Sequence, residues 1–213
     1  MSDAARPSLA RLTLAADSAA WRAAGFEVWD GATAIGEVTV TLAGRDAGRR
    51  IVIWSLRDVS ATELDGLPTE EASAAPLDRT AGAHPNGAER IDHVVAFSPN
   101  LERTIAALRA AGLDFRRLRE GPTPAGAQRQ AFFRVGEAIL EVVEHPPGTP
   151  AAEDRDAPAA FYGLAFATAD LDATARTLGP LLGDVRDAVQ PGRRIATVRR
   201  EAGLGLPVAF MSI

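Results

Sequence analysis

Residues 91–145 read IDHVVAFSPNLERTIAALRAAGLDFRRLREGPTPAGAQRQAFFRVGEAILEVVEH. The run opens on alternating apolar positions, the two-residue period of a half-buried strand. A helix follows, entered through a capping residue at Pro99-Asn100 and left at Gly112, the left-handed position past its last turn. Three more short apolar runs are separated by turn residues, so the order of elements is β-α-β-β-β. Two polar side chains interrupt this pattern: His93 stands inside the first strand, and Glu141 stands inside the last between Leu140 and Val142. A buried donor or charge without a partner costs several kcal/mol, on the order of ~2–7. The partner of this pair is either structural or a metal, and function turns on which.

The same order of elements recurs on both sides. Residues 9–58 lay over the central stretch, with Arg22-Ala23-Ala24-Gly25 matching Arg109-Ala110-Ala111-Gly112 at the helix exit. The expected strands there are 9–16, 26–29, 35–42 and 51–56. A third copy spans 160–213, where Ala169-Asp170-Leu171 enters a helix as Pro99-Asn100-Leu101 does. The chain therefore divides into a degenerate module at 1–60, a linker at 61–89, a module carrying the His/Glu pair at 90–146, a linker at 147–159 and a third module at 160–213. The shorter, Pro-rich second linker makes the second and third modules the more intimate pair. One such module leaves an open sheet edge and a half-covered face, so modules should pair. An odd number of them predicts a homodimer, the first module finding its counterpart in another chain.

Composition narrows the function classes. The chain has 213 residues, a net charge of −5 and no cysteine, which removes thiolate chemistry and zinc-thiolate sites. All its basic residues are arginines, so neither a Schiff-base lysine nor a P-loop lysine is available. These arginines alternate with acids instead of lining one helix, which excludes the footprint of a nucleic-acid binder. No apolar run reaches the ~20 residues of a membrane span, and no signal peptide is legible; the expected location is cytoplasmic. The expected partner is a small-molecule ligand.

Ile91-Asp92-His93-Val94-Val95, the Ala110-Ala111-Gly112-Leu113 helix exit, and Arg129 to Gly136 leading into Ile139-Leu140-Glu141-Val142-Val143 together resemble a module of the vicinal oxygen chelate superfamily. That superfamily includes glyoxalase I, the bleomycin-resistance proteins and the extradiol dioxygenases. The resemblance implies an α+β fold in which repeated βαβββ modules pair into a cupped, barrel-like mixed sheet with helices outside. It also implies a divalent metal held from the first and last strands of each module, onto which His93 and Glu141 map as ligands, with Glu141 as ligand or catalytic base. The match stops in the third module, where Gly163 and Ala209 or Phe210 stand at the corresponding places, and in the first, where Arg11 and Trp54 or Ser55 do. Two protein ligands make a weak site, because stable ones use three or four.

Other candidates line up by alternation. Gln130, Phe132 and Arg134 share one strand face, Arg129, Ala131 and Phe133 the other. Gln130, Phe132 and Arg134, with Phe161, are the candidate substrate-binding residues, an arginine fork suiting a carboxylate. His145 lies on the face of Glu141 but at the Pro146-Pro147 break. Arg116-Arg117-Leu118-Arg119 reads as a charged strand end or a rim of the cavity, and His84 as a turn residue in His-Pro-Asn-Gly. Two functions from different classes follow. One is a glyoxalase-like lyase or isomerase in which a divalent metal stabilises an enediolate. The other is a metal-free protein of the bleomycin-resistance type that binds or sequesters a small molecule in the paired-module cavity.

Overall fold

The computed structural model describes residues 6–72, 83–123 and 126–213, leaving part of the 61–89 segment outside the described residues. Among the described residues thirteen strands and four α-helices follow in order: β1 (Ser8–Leu14), α1 (Ser18–Ala23), β2 (Ala32–Ile35), β3 (Val38–Leu42), β4 (Ile51–Arg57), β5 (Thr69–Glu71), β6 (Arg90–Ser98), α2 (Leu101–Ala110), β7 (Asp114–Thr123), β8 (Gly126–Val135), β9 (Ala138–Glu144), α3 (Pro150–Glu153), β10 (Ala160–Thr168), α4 (Leu171–Leu178), β11 (Arg186–Asp187), β12 (Arg194–Thr197) and β13 (Val208–Ser212).

Eight strands form one mixed sheet in the order β11-β12-β13-β10-β6-β9-β8-β7. In each half the first strand runs parallel to the last, β6 beside β9 and β10 beside β13, and the halves meet at the antiparallel pair β6–β10. Both halves tie their first strand to their helix through the same hydroxyl pair: Ser98 to Thr104 at 2.6 Å and Thr168 to Thr174 at 3.1 Å. The helix caps are those their residues call for. Asn100 accepts from the Arg103 N–H at 3.3 Å and Asp170 from the Ala173 N–H at 2.8 Å. At the exit of α2, Gly112 adopts φ 87°, and the Gly112 and Leu113 amides donate to Arg109 and Leu108 carbonyls. The first copy repeats this closure: Gly25 and Phe26 amides donate to Arg22 and Trp21 carbonyls. The architecture is α+β, mostly sheet, and open at its edges instead of closed into a barrel.

The N-terminal residues form a separate sheet, β2-β3-β1-β4-β5, whose strands differ in part from those expected. Residues 26–29 make only one bridge, Trp29 to Ala32, because Asp30 and Gly31 turn the chain back with positive φ. Residues 32–42 split into a hairpin, and β3 is the strand parallel to β1. The 51–57 strand crosses to the other side of β1 and lies antiparallel to it, as β6 lies beside β10. Within the segment expected to be a linker, β5 pairs parallel with β4, as β9 does with β6. This sheet repeats the centre of the large one in miniature.

The two sheets share a core. Trp21 and Trp54 are fully buried, Trp21 at 6.1 Å from Phe166 and Trp54 at 5.2 Å from Phe161, both edge-on. Val94, Ala96, Leu140, Val142 and Phe133 face this core, together with Leu101 and Leu108 of α2. The alternate residues His93, Val95, Phe97, Ile139 and Glu141 lie on the opposite, partly open face, the inside of the cup. Among the described residues no helix is long and apolar enough to cross a membrane.

Candidate functional site

The floor of the cup is where β6 and β9 run side by side. Val95 lies opposite Glu141 and His93 opposite Ile139, so the polar pair is brought onto one face by register alone. In β6 the pairing with β10 slips: His93 faces Ala165, Ile91 faces Phe166, and Asp92 is the extra residue. Such a bulge re-aims a side chain. Here it lets the neighbours Asp92 and His93 interact, the carboxylate Oδ2 lying 2.8 Å from His93 Nδ1.

Asp92 is itself held. Arg193 Nη2 donates to its Oδ1 at 2.6 Å, while the same guanidinium donates to the Ser212 carbonyl at 2.6 Å and to Gln190 Oε1 at 2.8 Å. Burial works to raise the Asp92 pKa, but hydrogen bonds from His93 and Arg193 outweigh it and hold the carboxyl at about 2. A carboxylate at Nδ1 selects the tautomer with hydrogen there and leaves Nε2 as the free lone pair. That nitrogen lies 3.7 Å from Glu141 Oε2, too long for a hydrogen bond and close enough to pass a proton with a small shift. Burial raises the Glu141 pKa; the charges of His93, Arg119 and Arg117 oppose this, and Asp92 adds to it.

The wall beyond Glu141 comes from the β7–β8 hairpin. Phe132 lies opposite Glu141, Arg117 opposite Phe132, and Gln130 opposite Val143 and Arg119. These six side chains share the face of the cup. The Arg117 guanidinium lies 4.8 Å over the Phe132 ring, and Arg119 Nη1 donates to Gln130 Oε1 at 3.5 Å. Arg134 is on the same face but exposed, donating to the Glu137 carbonyl at the turn. Phe161 is elsewhere: it pairs with Ala96, on the opposite face, and packs against Trp54 in the core. His145 stacks on Phe97 at 5.1 Å, at the far end of the floor.

The donor set does not fit a resident divalent metal. Only His93 Nε2 and the Glu141 carboxylate converge, since both Asp92 oxygens are engaged. The counterpart of Glu141 in the other half is Ala209, which lies opposite Ala165 as Glu141 lies opposite Val95. At Gly163 a side chain has no room, because a Cβ would stand 2.5 Å from the Pro207 carbonyl oxygen. Among the described residues no three His, Asp or Glu side chains are disposed to hold a metal ion.

Asp92 and Arg193 carry no signal in the sequence alone, whereas Arg117 and Arg119 belong to the stretch expected as a charged strand end or a rim of the cavity. Alternation puts Asp92 opposite His93, and only the bulge brings the two together. The pairing of Arg117 with Phe132 and of Arg119 with Gln130 puts these two arginines on the face of the cup.

Two βαβββ halves meeting at their first strands, with a polar pair on the inner face, define the cupped sheet of the vicinal oxygen chelate superfamily. Residues 91–208 match the family model described as a glyoxalase-like domain, more than half of the chain, and the chain belongs to that family. Among solved structures it is similar to methylmalonyl-CoA epimerase from Mycobacterium tuberculosis, at 18% identity over 63% of this chain and 93% of that one, with a TM-score of 0.49. It is also similar to Streptomyces coelicolor methylmalonyl-CoA epimerase in complex with 2-nitronate-propionyl-CoA, at 22% identity over 58% of this chain and 96% of that one, with a TM-score of 0.46. No curated protein matches the chain.

Proposed function

We propose that this glyoxalase-like protein binds a small organic molecule in the cup, over His93 and Glu141, without a resident divalent metal. The observation that supports this is the pairing of two convergent donors with a second half-site occupied by Gly163 and Ala209. The pair is suited to a carbonyl ligand. Glu141, whose pKa burial raises, can in its neutral form donate to a carbonyl oxygen, and His93 Nε2 can accept a proton from the adjacent carbon. The reading covers both sequestration and proton transfer of the isomerase kind.

A metal-assisted lyase or isomerase is the second reading, and one observation favours it. Metal-ligating histidines donate their other ring N–H to a carboxylate, and His93 has Asp92 in that place. Calorimetric titration of the untagged chain with manganese, nickel and zinc decides between them. The expected result is no binding at micromolar concentration. Micromolar binding that disappears in both His93→Ala and Glu141→Gln restores the metal. As to assembly, a homodimer belongs to the proposal only through a sheet edge such as β7, because the apolar face of the N-terminal sheet is covered within the chain.

A further inference from the structure

We propose that Arg117 and Arg119 form an anion subsite beside Glu141, so that the ligand of the cup is a small organic acid. This rests on the reading of the cup as a ligand site and names the class of ligand. The register carries the inference. Glu141, Phe132 and Arg117 lie in line across β9, β8 and β7, and Gln130 and Arg119 lie in the next row. Adjacent strands are ~4.8 Å apart, so the arginine backbones stand roughly 10 Å from that of Glu141 and their side chains can reach back over the floor.

Of the other arginines of this hairpin, Arg129 and Arg116 are met by acids, and Arg134, without an ion pair among the described residues, donates to the Glu137 carbonyl. Arg129, on the opposite face, is met by Glu102 at 2.7 Å, Glu120 at 2.9 Å and Glu144 at 3.4 Å. Arg116, the extra residue of the β7 bulge, pairs with Asp114 at 3.1 Å. Arg117 and Arg119 have no ion-pair partner among the described residues, although the chain carries more acids than bases. Each is nevertheless held: Arg117 by stacking on Phe132, Arg119 by Gln130. Two restrained guanidinium forks on the sheet face that carries Glu141 suit a carboxylate, because less side-chain freedom is lost when it arrives. A carboxylate seated there leaves the neighbouring carbonyl or α-carbon of a short acid over His93 and Glu141. Val95 and Phe97 continue the floor for an apolar remainder.

Calorimetry with phenylpyruvate and with its neutral ethyl ester tests the subsite, with thermal unfolding alongside. The wild-type chain is expected to bind the acid at least about tenfold more tightly than the ester, the effect of one or two charge-assisted hydrogen bonds. The Arg117→Ala/Arg119→Ala double variant should lose that preference with its Tm unchanged, since both side chains lie on an open face. Arg129→Ala, on the opposite face of the same hairpin, should keep the preference. Equal affinity for acid and ester, or undiminished binding of the acid by the double variant, overturns the subsite and leaves the cup standing. Failure of the wild-type chain to bind either compound at millimolar concentration overturns the cup and the subsite with it.

Discussion

Glu141 and Asp92 are two carboxyl groups set on the two ring nitrogens of His93 and opposite in charge behaviour. Asp92 receives hydrogen bonds from His93 and Arg193 and stays ionised, while Glu141 receives none among the described residues and is pushed toward its neutral form by burial. The signs follow from linkage. Asp92, held at about 2 against an ordinary 3.8, supplies stability that is present above pH 3.8 and lost as the pH falls toward 2. Glu141, raised above 4.5, works against folding at neutral pH, and that cost is relieved as the pH falls through its folded pKa toward 4.5. Glu141→Gln, which keeps the shape and removes the charge, should therefore raise the Tm at pH 7.5 by about 2–4 °C, the scale of ~1 kcal/mol in a chain of this size. The advantage should vanish by pH 4. Tm measured against pH for both chains is the check, and a glutamine variant less stable than wild type at pH 7.5 would mean that Glu141 is a structural group. His93 and Glu141 were legible because a polar residue inside an apolar strand stands out. Asp92 was not, since a bulge inserts a residue without any mark in the pattern of alternation.

At the scale of elements, the segment His84-Pro85-Asn86-Gly87 joins the two sheets and is more than a turn. The His84 ring is buried, with Nδ1 accepting from the Glu27 N–H at 3.1 Å and Nε2 facing the Ala34 carbonyl at 3.0 Å. This assigns the neutral tautomer with hydrogen on Nε2. Asn86, fully buried, donates to the Ala24 carbonyl at 2.8 Å, and its own carbonyl accepts from Thr174 of α4 at 2.8 Å. Gly87, at φ 75°, passes so close to Thr168 and Thr174 that a Cβ would stand 3.0 Å from either hydroxyl. Burial lowers the His84 pKa below 6.5, with Ala34 and Glu27 opposing. The unfolded chain thus takes up the proton first as the pH drops. Stability from the neutral ring is complete above pH 6.5 and is lost as the pH falls from there through the folded pKa. His84→Ala should lower stability at pH 7.5 by about 2–4 kcal/mol, from two lost hydrogen bonds and a lost contact with Phe26. It should also flatten the decline between pH 6.5 and 5. Urea unfolding of both chains at the two pH values checks this; an equal decline in the variant would assign the acid sensitivity to other groups. The shared Arg-Ala-Ala-Gly exits were legible because glycine past a last turn has one main use. The absence of a strand at 26–29 was not, because Phe26 and Val28 have the apolar character of a strand yet are spent on the core.

For the whole molecule, the resemblance carried by 91–145 extended to the eight-stranded sheet because both halves keep their strand patterns, whereas the role of the N-terminal residues depended on packing that no local pattern records. Unpaired, a five-stranded sheet with an apolar face would need a partner, and that was the ground for expecting a dimer. In the structure the face is covered by the back of the cup, through Trp54 on Phe161 and Trp21 and Phe26 on Phe166. One continuous cluster of buried side chains runs through both sheets, so neither can open without exposing the core of the other. Unfolding is then expected to be a single transition, and the chain carries its own probe for this. All three tryptophans, at 21, 29 and 54, belong to the N-terminal part, while most strand residues belong to the large sheet. Tryptophan fluorescence and far-ultraviolet circular dichroism should therefore give coincident urea midpoints. Phe161→Ala, made on the other side of the interface, should move both midpoints down together by the equivalent of about 3–5 kcal/mol, the cost of emptying a buried aromatic site. If fluorescence instead shifts ahead of circular dichroism, the N-terminal sheet is a separately folding unit docked on an independent cup. The cup would then owe its rigidity, and the spacing of His93, Glu141 and the arginines, to its own eight strands alone.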